Sequence, residues 1–527
     1  MQLTALDIGV FVAFFAVVVG VSMYKSRRER TSEDFFLASR GLHWPLIGLS
    51  LIAANISTEH FVGMAGQGAG IAGMAIASYE WMAAICIVLT GLFFLPKFLK
   101  AGIYTIPEYL EYRYHPSARA LMAFYTMLIY IFVTISAVIY SGGLTLQTLF
   151  GDLDNSRHLL YGIVVIGSIA GLYTIWGGLK AVAWADLFQG SALIIGGAIT
   201  MVLGFKAIGV GNFFEHNADK LHMILPRDHS VLPWTALVIG LWIPNFYYWG
   251  LNQYISQRTL AAKTLRQGQL GVIFAAGIKL IIPFIIIFPG MMSWQLYGDQ
   301  VSADKTDAAY PLLIRNLVGP GFRAFIFAAI SGAVISSLAS MLNSASTIFT
   351  MDLYKRHFRK DASHANLIWT GRIMTGVFVV IGCIIAPNLN HPSLRGIFTY
   401  IQEFQGFISP GILGAFAFGL IFKRAPASAG VAALVLNPIV YGILLIFFGS
   451  IPWFSMVQIT EIAFLNRMAI TFVIILAVMV TLTILTPLPE PRKMPVREGF
   501  DMKPTPSVVW LGGLVIVLTL ILYVIFW

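Results

Sequence analysis

Residues 44–82 read WPLIGLSLIAANISTEHFVGMAGQGAGIAGMAIASYEWM, an apolar stretch that polar and charged side chains interrupt. The sequence NISTEH at 55–60 lies midway through one hydrophobic run, and Glu80 lies near the start of the next. A carboxylate or an unpaired amide in hydrocarbon costs several kcal/mol unless it faces a partner or a water-filled cavity. These side chains are therefore candidates for a site that handles a polar solute inside a membrane.

Apolar runs recur along the whole chain of 527 residues. Hydrophobic residues make up 58% of it, charged residues 11%, and the mean hydropathy is +0.80, which excludes a soluble domain. Runs of about 18 or more apolar residues can cross a bilayer as helices. The predicted runs are about 5–24, 45–69, 73–96, 119–150, 158–176, 182–206, 233–257, 269–296, 321–354, 367–387, 396–421, 427–449, 463–486 and 506–527. The predicted fold class is an all-α polytopic membrane protein with about 14 transmembrane helices.

The formal net charge of +10 indicates topology rather than nucleic-acid binding. Lys and Arg recur on alternate loops, for example at 97–100, 258–266 and 355–360. The positive-inside rule makes these loops cytoplasmic. We therefore expect a multi-pass protein of a plasma or inner membrane, with both termini extracellular or periplasmic. The expected partners are the lipid bilayer and a small solute; neither a nucleic acid nor an obligate protein partner is inferred.

Motifs for enzymatic chemistry are not found in the sequence. The two cysteines, Cys86 and Cys383, lie in apolar runs and make no disulfide framework or metal cluster. There is no Walker A sequence and no HExxH. Asp186, Glu80 and His60 form no recognisable catalytic set. We therefore predict no enzyme, assign no catalytic residue and do not expect ATP bound by this chain as an energy source.

Two apolar runs contain helix-breaking sequences at corresponding places. The run 45–69 carries AANIS, and the run 233–257 carries GLWIPNFYYWGLNQ, in which Pro244 removes a backbone donor and Gly250 weakens the helix. The two breaks lie five runs apart. Broken helices at equivalent positions in two halves are typical of secondary transporters with an inverted repeat. Two ordinary helix kinks are the alternative.

The ninth run carries a polar stripe. Its members recur at spacings of three and four, which places them on one helix face: Ser336, Ser337, Ser340, Asn343, Ser344 and Thr347. Such a stripe often serves only for packing between membrane helices. Together with carbonyls freed by a break at Ala53–Ile56, however, the hydroxyls would form an uncharged cage of oxygen atoms. A cage of this kind suits a hard monovalent cation such as sodium.

Five longer motifs carry a resemblance to a known family: SLIAANIS at 50–57, ASYEW at 77–81, NFYYWGLNQYISQRTLAAK at 245–263, ISSLASMLNSASTIFTMDLY at 335–354 and FTYIQEFQGFISPGI at 398–412. Over roughly residues 5–485 the chain resembles the sodium/solute symporter family, specifically its sodium/sugar cotransporter branch. The resemblance implies a leucine-transporter-type five-plus-five inverted repeat. It places a leading helix and first cytoplasmic loop in 1–43, the transport core in 44–424, with repeats at about 44–206 and 233–424, and three peripheral helices in 425–527.

The resemblance also implies roles for particular residues. Sodium would bind to the carbonyls of Ala53, Ile56 and Ala333 and to the hydroxyls of Ser336 and Ser337. The substrate would bind to Asn55, His60, Glu80, Asn245, Lys279 and Gln402. The groups that cover it would be Met64, Tyr79, Tyr248, Trp249 and Phe398. Asp186 would lie on the sodium exit path. A second sodium site is expected to fail because Ala339 offers no oxygen beside Ser340, which predicts one sodium per sugar.

The chemistry of these groups suits a neutral sugar. Glu80 can accept hydroxyl hydrogens, Lys279 can donate, and the amides and His60 can do either. No arginine lies at the middle of an apolar run, which disfavours a carboxylate substrate. The combination of His60 with Ala83 is similar to the animal glucose carriers and leaves glucose and galactose both open. The predicted function is a sodium-coupled symporter that takes up a neutral monosaccharide by alternating access; the alternatives are transport of inositol or another polyol, and a sodium/sugar sensor.

Overall fold

A computed structural model describes residues 4–26, 31–57, 59–150, 156–229, 231–301, 303–389, 397–449, 462–503 and 505–527. Thr58, in the polar break of the sequence, lies outside the described residues. Within these ranges the elements of regular secondary structure are helices, and the one β-type contact is an isolated bridge between Leu42 and Ala262. The all-helical prediction is confirmed.

The α-helices of the described chain, in order, are α1 Ala5–Ser26, α2 Ser32–Leu37, α3 Trp44–Asn55, α4 Ala65–Ala69, α5 Ser78–Phe93, α6 Leu95–Ala101, α7 Ile106–Arg113, α8 Pro116–Ile129, α9 Ser136–Phe150, α10 Ser156–Ile208, α11 Val210–His216, α12 Trp242–Phe246, α13 Gln253–Leu260, α14 Leu265–Tyr297, α15 Ala309–Leu317, α16 Phe322–Ile348, α17 His364–Ile385, α18 Ile397–Gln405, α19 Ser409–Ile421, α20 Ala427–Phe448, α21 Phe464–Leu485 and α22 Pro506–Ile525. Looser π-helical turns connect or extend several of them, at Glu59–Met64, Tyr130–Ile135, Ala236–Gly240, Tyr247–Leu251 and Phe349–Phe358. Short 3₁₀ segments lie at Ala38–Arg40, Gly73–Ala77, Ala218–Lys220, Ala303–Ala308 and Ala386–Leu389.

Ten helical segments of the described chain are long and apolar enough to cross a membrane, or up to twelve if two bent pairs each count as a span. The helices differ sharply in how much of their surface is covered by protein. In α16, 94% of the most apolar window is buried, compared with 17% in α1 and 22% in α22. The bundle therefore has α16 at its centre, and α1 and α22 present apolar side chains to lipid.

The first helix break predicted from the sequence is present. Helix α3 ends at Asn55, Ile56 has an extended backbone with φ −79° and ψ 107°, and the helix that follows is inclined to α3 by 57°. The second predicted break falls at Asn252, with φ −81° and ψ 122°, rather than at Pro244, which lies within α12. Both breaks leave backbone groups without helical partners in the middle of the bundle.

A third bend was not predicted. The run 396–421 forms two helices, α18 and α19, inclined by 48°. Tyr441 of α20 packs its ring directly against Gly406 at the bend, so the position has no room for a side chain. Asn437, also on α20, accepts a hydrogen bond from the Gly411 N–H (2.5 Å) and donates one to the Gly406 carbonyl (3.0 Å). Packing from α20 therefore fixes this bend.

Candidate functional site

A narrow cavity lies where the broken end of α3 meets α5, α12 and α18. Its volume is about 40 Å³, enough for one or two water molecules. The predicted substrate and gate residues line it, with Lys279 as the one exception: Asn55, His60, Met64, Tyr79, Glu80, Asn245, Tyr248, Trp249, Phe398 and Gln402. Residues separated by more than 300 positions in sequence are thus brought to one small space.

Lys279 lies behind this cavity, in the middle of α14, and its side chain has no exposed surface. Its ammonium group is hydrogen-bonded to the carboxylate of Glu80 on α5 and to the side-chain oxygen of Asn55 at the end of α3. The other carboxylate oxygen of Glu80 lies 3.3 Å from Nε2 of His60. A buried charge is tolerated only when it is paired and hydrogen-bonded. This network therefore explains why a lysine is accepted in an apolar helix.

Tyr248 connects the first helix break to the second. Its hydroxyl accepts a hydrogen bond from Nδ2 of Asn55 (3.0 Å) and another from the hydroxyl of Tyr254 (2.5 Å). Tyr248 precedes the break at Asn252 and Tyr254 follows it. The hydroxyl of Tyr130 donates to the side chain of Asn252 and accepts from the Tyr254 N–H (3.2 Å). The Tyr130 hydroxyl thus gives the Tyr254 N–H, just after the break, a hydrogen-bond partner.

Aromatic rings form much of the remaining wall. Tyr79 and Phe398 meet edge to face, with ring centroids 5.0 Å apart. Trp249 packs against Tyr248 with centroids 5.3 Å apart, and the Lys279 ammonium lies 5.0 Å from the centre of the Trp249 ring. Aromatic faces combined with a few polar groups are typical of small-molecule sites.

The predicted sodium ligands divide into two groups. The hydroxyl of Ser337 on α16 lies 3.0 Å from the carbonyl oxygen of Ala54 and 3.4 Å from that of Ala53, both in the last turn of α3. The extended backbone of Ile56 follows directly, and Ala333 lies one turn before Ser337 on α16. The structure therefore brings the end of α3 against the serine-rich face of α16.

Ser336 belongs to the second group, centred on Asp186 of α10. Asp186 accepts hydrogen bonds from the hydroxyls of Ser336 and Ser50, and its Oδ2 lies 2.9 Å from Nη2 of Arg258. The Arg258 guanidinium also donates to Ser340. The carboxylate and the Ser340 hydroxyl that would bind a second cation are thus both engaged by a guanidinium.

The position of Arg258 corrects the sequence analysis, which placed it on a cytoplasmic loop. Arg258 lies in α13, which continues to Leu260 and packs against α3 and α16. Its side chain is buried. A charge at the end of an apolar run has the same sequence signature whether it enters solvent or turns inward to a carboxylate. In this protein the ion pair with Asp186 shows that the Arg258 side chain turns inward.

Glu59, one of the polar NISTEH residues expected from the sequence to lie at a site, lines the cavity. Five further lining residues were not predicted: Thr134, Pro244, Tyr254, Ile401 and Gln405. Gln405 follows Gln402 by three positions on α18, so helical spacing could have identified it. Tertiary packing brings Thr134 and Tyr254 to the cavity wall, and nothing in the sequence around either residue predicts that position. Asn245 is present in the cavity, although its side-chain amide already donates to the Leu241 carbonyl (3.0 Å).

Apolar helices of membrane-spanning length, broken around a small polar cavity, define the class of this molecule as a multi-pass membrane transporter. The model of the sodium:solute symporter family matches residues 35–437. The chain belongs to the sodium:solute symporter family.

Relatives with known names agree with this assignment. The chain is 37% identical over 559 aligned positions to the sodium/glucose cotransporter of Vibrio parahaemolyticus, covering 100% of this chain and 99% of that protein. It is 33% identical to the sodium/myo-inositol cotransporter 2 of Sus scrofa, covering 82% of this chain and 68% of that protein. The protein is therefore a sodium-coupled solute symporter and not an enzyme, and sodium is its co-transported ion.

A solved structure supports the fold. The substrate-bound outward-open state of a Na⁺-coupled sialic acid symporter superimposes with a TM-score of 0.79, covering 94% of this chain and all of that one. Its sequence identity is 23%, so the likeness concerns the fold alone.

Proposed function

We propose that this symporter takes up a neutral monosaccharide of the glucose or galactose type, driven by sodium and operating by alternating access. The support is chemical. Lys279 is neutralised by Glu80, and the arginine nearest the helix breaks, Arg258, is paired with Asp186. The cavity therefore offers amide, imidazole, hydroxyl and carboxylate groups rather than a cation for an acidic substrate.

The observation that carries this proposal is a pair of unpaired polar atoms. Nδ1 of His60 and Oε1 of Gln405 are buried, belong to residues of the cavity wall, and have no hydrogen-bond partner among the described residues. A buried polar atom without a partner costs about 1–3 kcal/mol. Sugar hydroxyls, which both donate and accept, would satisfy both atoms. The rings of Tyr79, Phe398 and Trp249 would cover the CH faces of the sugar.

The size of the cavity indicates that substrate entry requires movement. At about 40 Å³ it cannot hold a hexose ring. We infer that Met64, Tyr79 and Phe398 cover the sugar on one side, and that Tyr248 and Trp249 cover it on the other. The helix breaks at Ile56 and Asn252 and the bend at Gly406 are the places where such movement would be absorbed.

For sodium, we propose coordination by the carbonyls of Ala53, Ile56 and Ala333 and the hydroxyls of Ser336 and Ser337. Because Ser336 donates its proton to Asp186, its oxygen lone pairs remain available for a cation. Asp186 would then both orient Ser336 and attract sodium on its way out. Substrate binding and sodium binding would be coupled because α3 carries residues of both sites.

For the membrane arrangement, we propose fourteen spans in three parts. The 53 residues of α10 have a summed helical rise of about 80 Å, more than twice the thickness of the hydrocarbon core. The helix is interrupted at Gly178, where φ is +50°. This element would be two spans, and the segments from Ala236 to Leu260 would form another. The parts are 1–43, a core at 44–424 with repeats at 44–206 and 233–424, and 425–527. Both termini would lie outside the cytoplasm of a cell or inner membrane.

Transport of a polyol is the second candidate, because a myo-inositol cotransporter is nearly as similar to this chain as the glucose cotransporter. The test is competition for sodium-driven uptake of labelled galactose into proteoliposomes by glucose, galactose, myo-inositol, mannitol and sialic acid. We expect only the two hexoses to compete strongly. Strong competition by myo-inositol with none by glucose would replace the monosaccharide proposal with the polyol one.

A matched pair of variants locates the site in the same assay. Gln405→Ala removes the amide group whose Oε1 atom has no partner, and this variant is expected to show reduced galactose uptake. Gln269→Ala removes a buried amide that bonds the Gly91 carbonyl outside the cavity, and uptake is expected to persist. Equal uptake by the two variants would contradict the placement of the substrate at this cavity.

A further inference from the structure

A second cavity of about 310 Å³ lies away from the helix breaks, between α6, α7, the end of α19 and residues 491–496. Five basic residues line it and no acidic residue does: Lys97, Lys100, Arg113, Lys423 and Arg492. Two of these residues lie in α6, Arg113 ends α7, and the other two follow α19 and α21. The cavity therefore lies on the face of the molecule to which the positive-inside rule assigns the cytoplasm.

Of the five cationic side chains, one is hydrogen-bonded to described residues of the protein. Arg113 is buried and donates to the carbonyls of Gly419 (2.8 Å), Phe422 (2.7 Å) and Ala425 (3.2 Å), where it caps the end of α19. Among the described residues, the side chains of Lys97, Lys100, Lys423 and Arg492 have neither an ion-pair partner nor a hydrogen-bond partner.

The cations also repel one another. The positive charge of Lys423 disfavours the charged form of Lys97, and that of Arg492 disfavours the charged form of Arg113. Like charges gathered in a concave site raise the local potential and attract a counter-ion. A phosphate group is the anion best matched to several Lys and Arg donors in one cavity.

An apolar groove of about 300 Å³ is lined by neighbouring residues of two of the same helical segments. On one segment, Phe94 lines the groove and Lys97, three positions later, lines the basic cavity. On α19, Ala417 lines the groove and Leu420, again three positions later, lines the basic cavity. Three residues correspond to about 4.5 Å of helix rise on one face. Further along, Trp242 and Phe472 wall the groove with apolar surface.

We propose that the two spaces together bind one anionic glycerophospholipid, with its phosphate among the basic residues and an acyl chain in the groove. Basic pockets between membrane helices on the cytoplasmic side suit such headgroups. A soluble phosphate would use the basic cavity alone and leave the adjoining groove without a role. The bound lipid would also join the core to the segment 491–496, whose neighbour Arg497 is held to Lys100 by a backbone hydrogen bond of 2.8 Å.

The test uses the purified full-length protein in a zwitterionic detergent. Phosphatidylglycerol, phosphatidylcholine or inorganic pyrophosphate is added, and bound lipid is counted by native mass spectrometry while the thermal unfolding temperature is followed. We expect one tightly bound phosphatidylglycerol and a higher unfolding temperature with it. The variant Lys97→Gln/Lys423→Gln/Arg492→Gln should bind it at least about tenfold more weakly.

Two further variants separate the possible results. Lys263→Gln/Arg359→Gln/Lys360→Gln removes the same charge from exposed positions outside the cavity, and it should bind phosphatidylglycerol like the unmodified protein. Ala417→Phe fills the groove and should weaken lipid binding while leaving the basic residues intact. Equal loss in both triple variants, unchanged lipid binding in Ala417→Phe, or stabilisation by pyrophosphate equal to that by phosphatidylglycerol would each overturn the proposal.

Discussion

The ammonium group of Lys279 on α14 is paired with the carboxylate of Glu80 on α5, and neither side chain has more than 4% of its surface exposed. Glu80 also lines the cavity at the helix breaks. The pair therefore joins two helices and at the same time leaves a carboxylate in the cavity wall, where the proposed sugar would meet it. A sugar hydroxyl that approaches Glu80 meets an acceptor whose charge is already balanced, which favours a neutral ligand over an acidic one.

The first prediction concerns this pair. Glu80→Gln leaves the Lys279 ammonium buried without its counter-charge, and removing one partner of a buried pair costs about 3–5 kcal/mol. We expect a clearly lower unfolding temperature and loss of sugar uptake. The double variant Glu80→Gln/Lys279→Met removes both charges and should recover stability without recovering uptake. Sugar uptake at the normal level in the double variant would contradict a role for the pair in binding.

The second prediction concerns sodium. In Ser337→Ala the cation loses one of about five oxygen ligands in a site with little water, so sodium affinity should fall at least about tenfold, or 1.4 kcal/mol. The sodium concentration that gives half-maximal uptake measures it. Ser346→Ala is the control, because Ser346 is a buried serine of the same helix that bonds only the Asn343 carbonyl. An unchanged sodium dependence in Ser337→Ala would remove Ser337 from the site.

The third prediction concerns the Tyr248 hydroxyl, which joins Asn55 to Tyr254 across the two helix breaks. Tyr248→Phe keeps the ring and removes these bonds, whereas Tyr248→Ala also removes the cover over the sugar. We expect Tyr248→Phe to transport sugar moderately more slowly. We expect Tyr248→Ala to show a reduced net flux of sugar while sugar exchange persists. Exchange and net flux are compared in preloaded proteoliposomes. Coupled transport by Tyr248→Ala with normal affinity would place the gate elsewhere.

The fourth prediction concerns the bend between α18 and α19. Asn437→Ala leaves the Gly411 N–H and the Gly406 carbonyl buried without partners, at a cost of about 1–3 kcal/mol each. Because α18 carries Gln402 and Phe398, sugar affinity should weaken along with stability. Asn437→Asp keeps the acceptor for Gly411 but loses the donor, and its defect should be intermediate. If sugar affinity in Asn437→Ala equalled that of the unmodified protein, the bend would not position α18.

Residues whose chemistry conflicts with their surroundings can be recognised from the sequence. Lys279, Glu80 and the polar residues near Asn55 stand out because charge and amides are costly in an apolar run. The bend at Gly406 was not predicted because its cause lies outside the run 396–421, in the packing of the Tyr441 ring of α20 against Gly406. Arg258 was misplaced because only its partner, Asp186 on α10, shows which way it turns. Local patterns thus predict which residues are unusual, while tertiary packing determines what they contact.

The Arg258–Asp186 pair bears on stoichiometry. A second sodium near Asp186 would need the Ser340 hydroxyl, which already accepts from Arg258, and it would meet a guanidinium charge. We therefore expect one sodium per sugar.

A reversal-potential measurement in proteoliposomes tests the account most directly, because it requires sodium, a neutral hexose and their coupling at once. With the sodium gradient and membrane potential fixed, the galactose gradient is varied until net flux stops. The account predicts that flux stops where the galactose gradient balances the first power of the sodium electrochemical gradient. Galactose flux that ignores sodium would contradict coupled sugar transport, and balance against the square of that gradient would contradict the single sodium site.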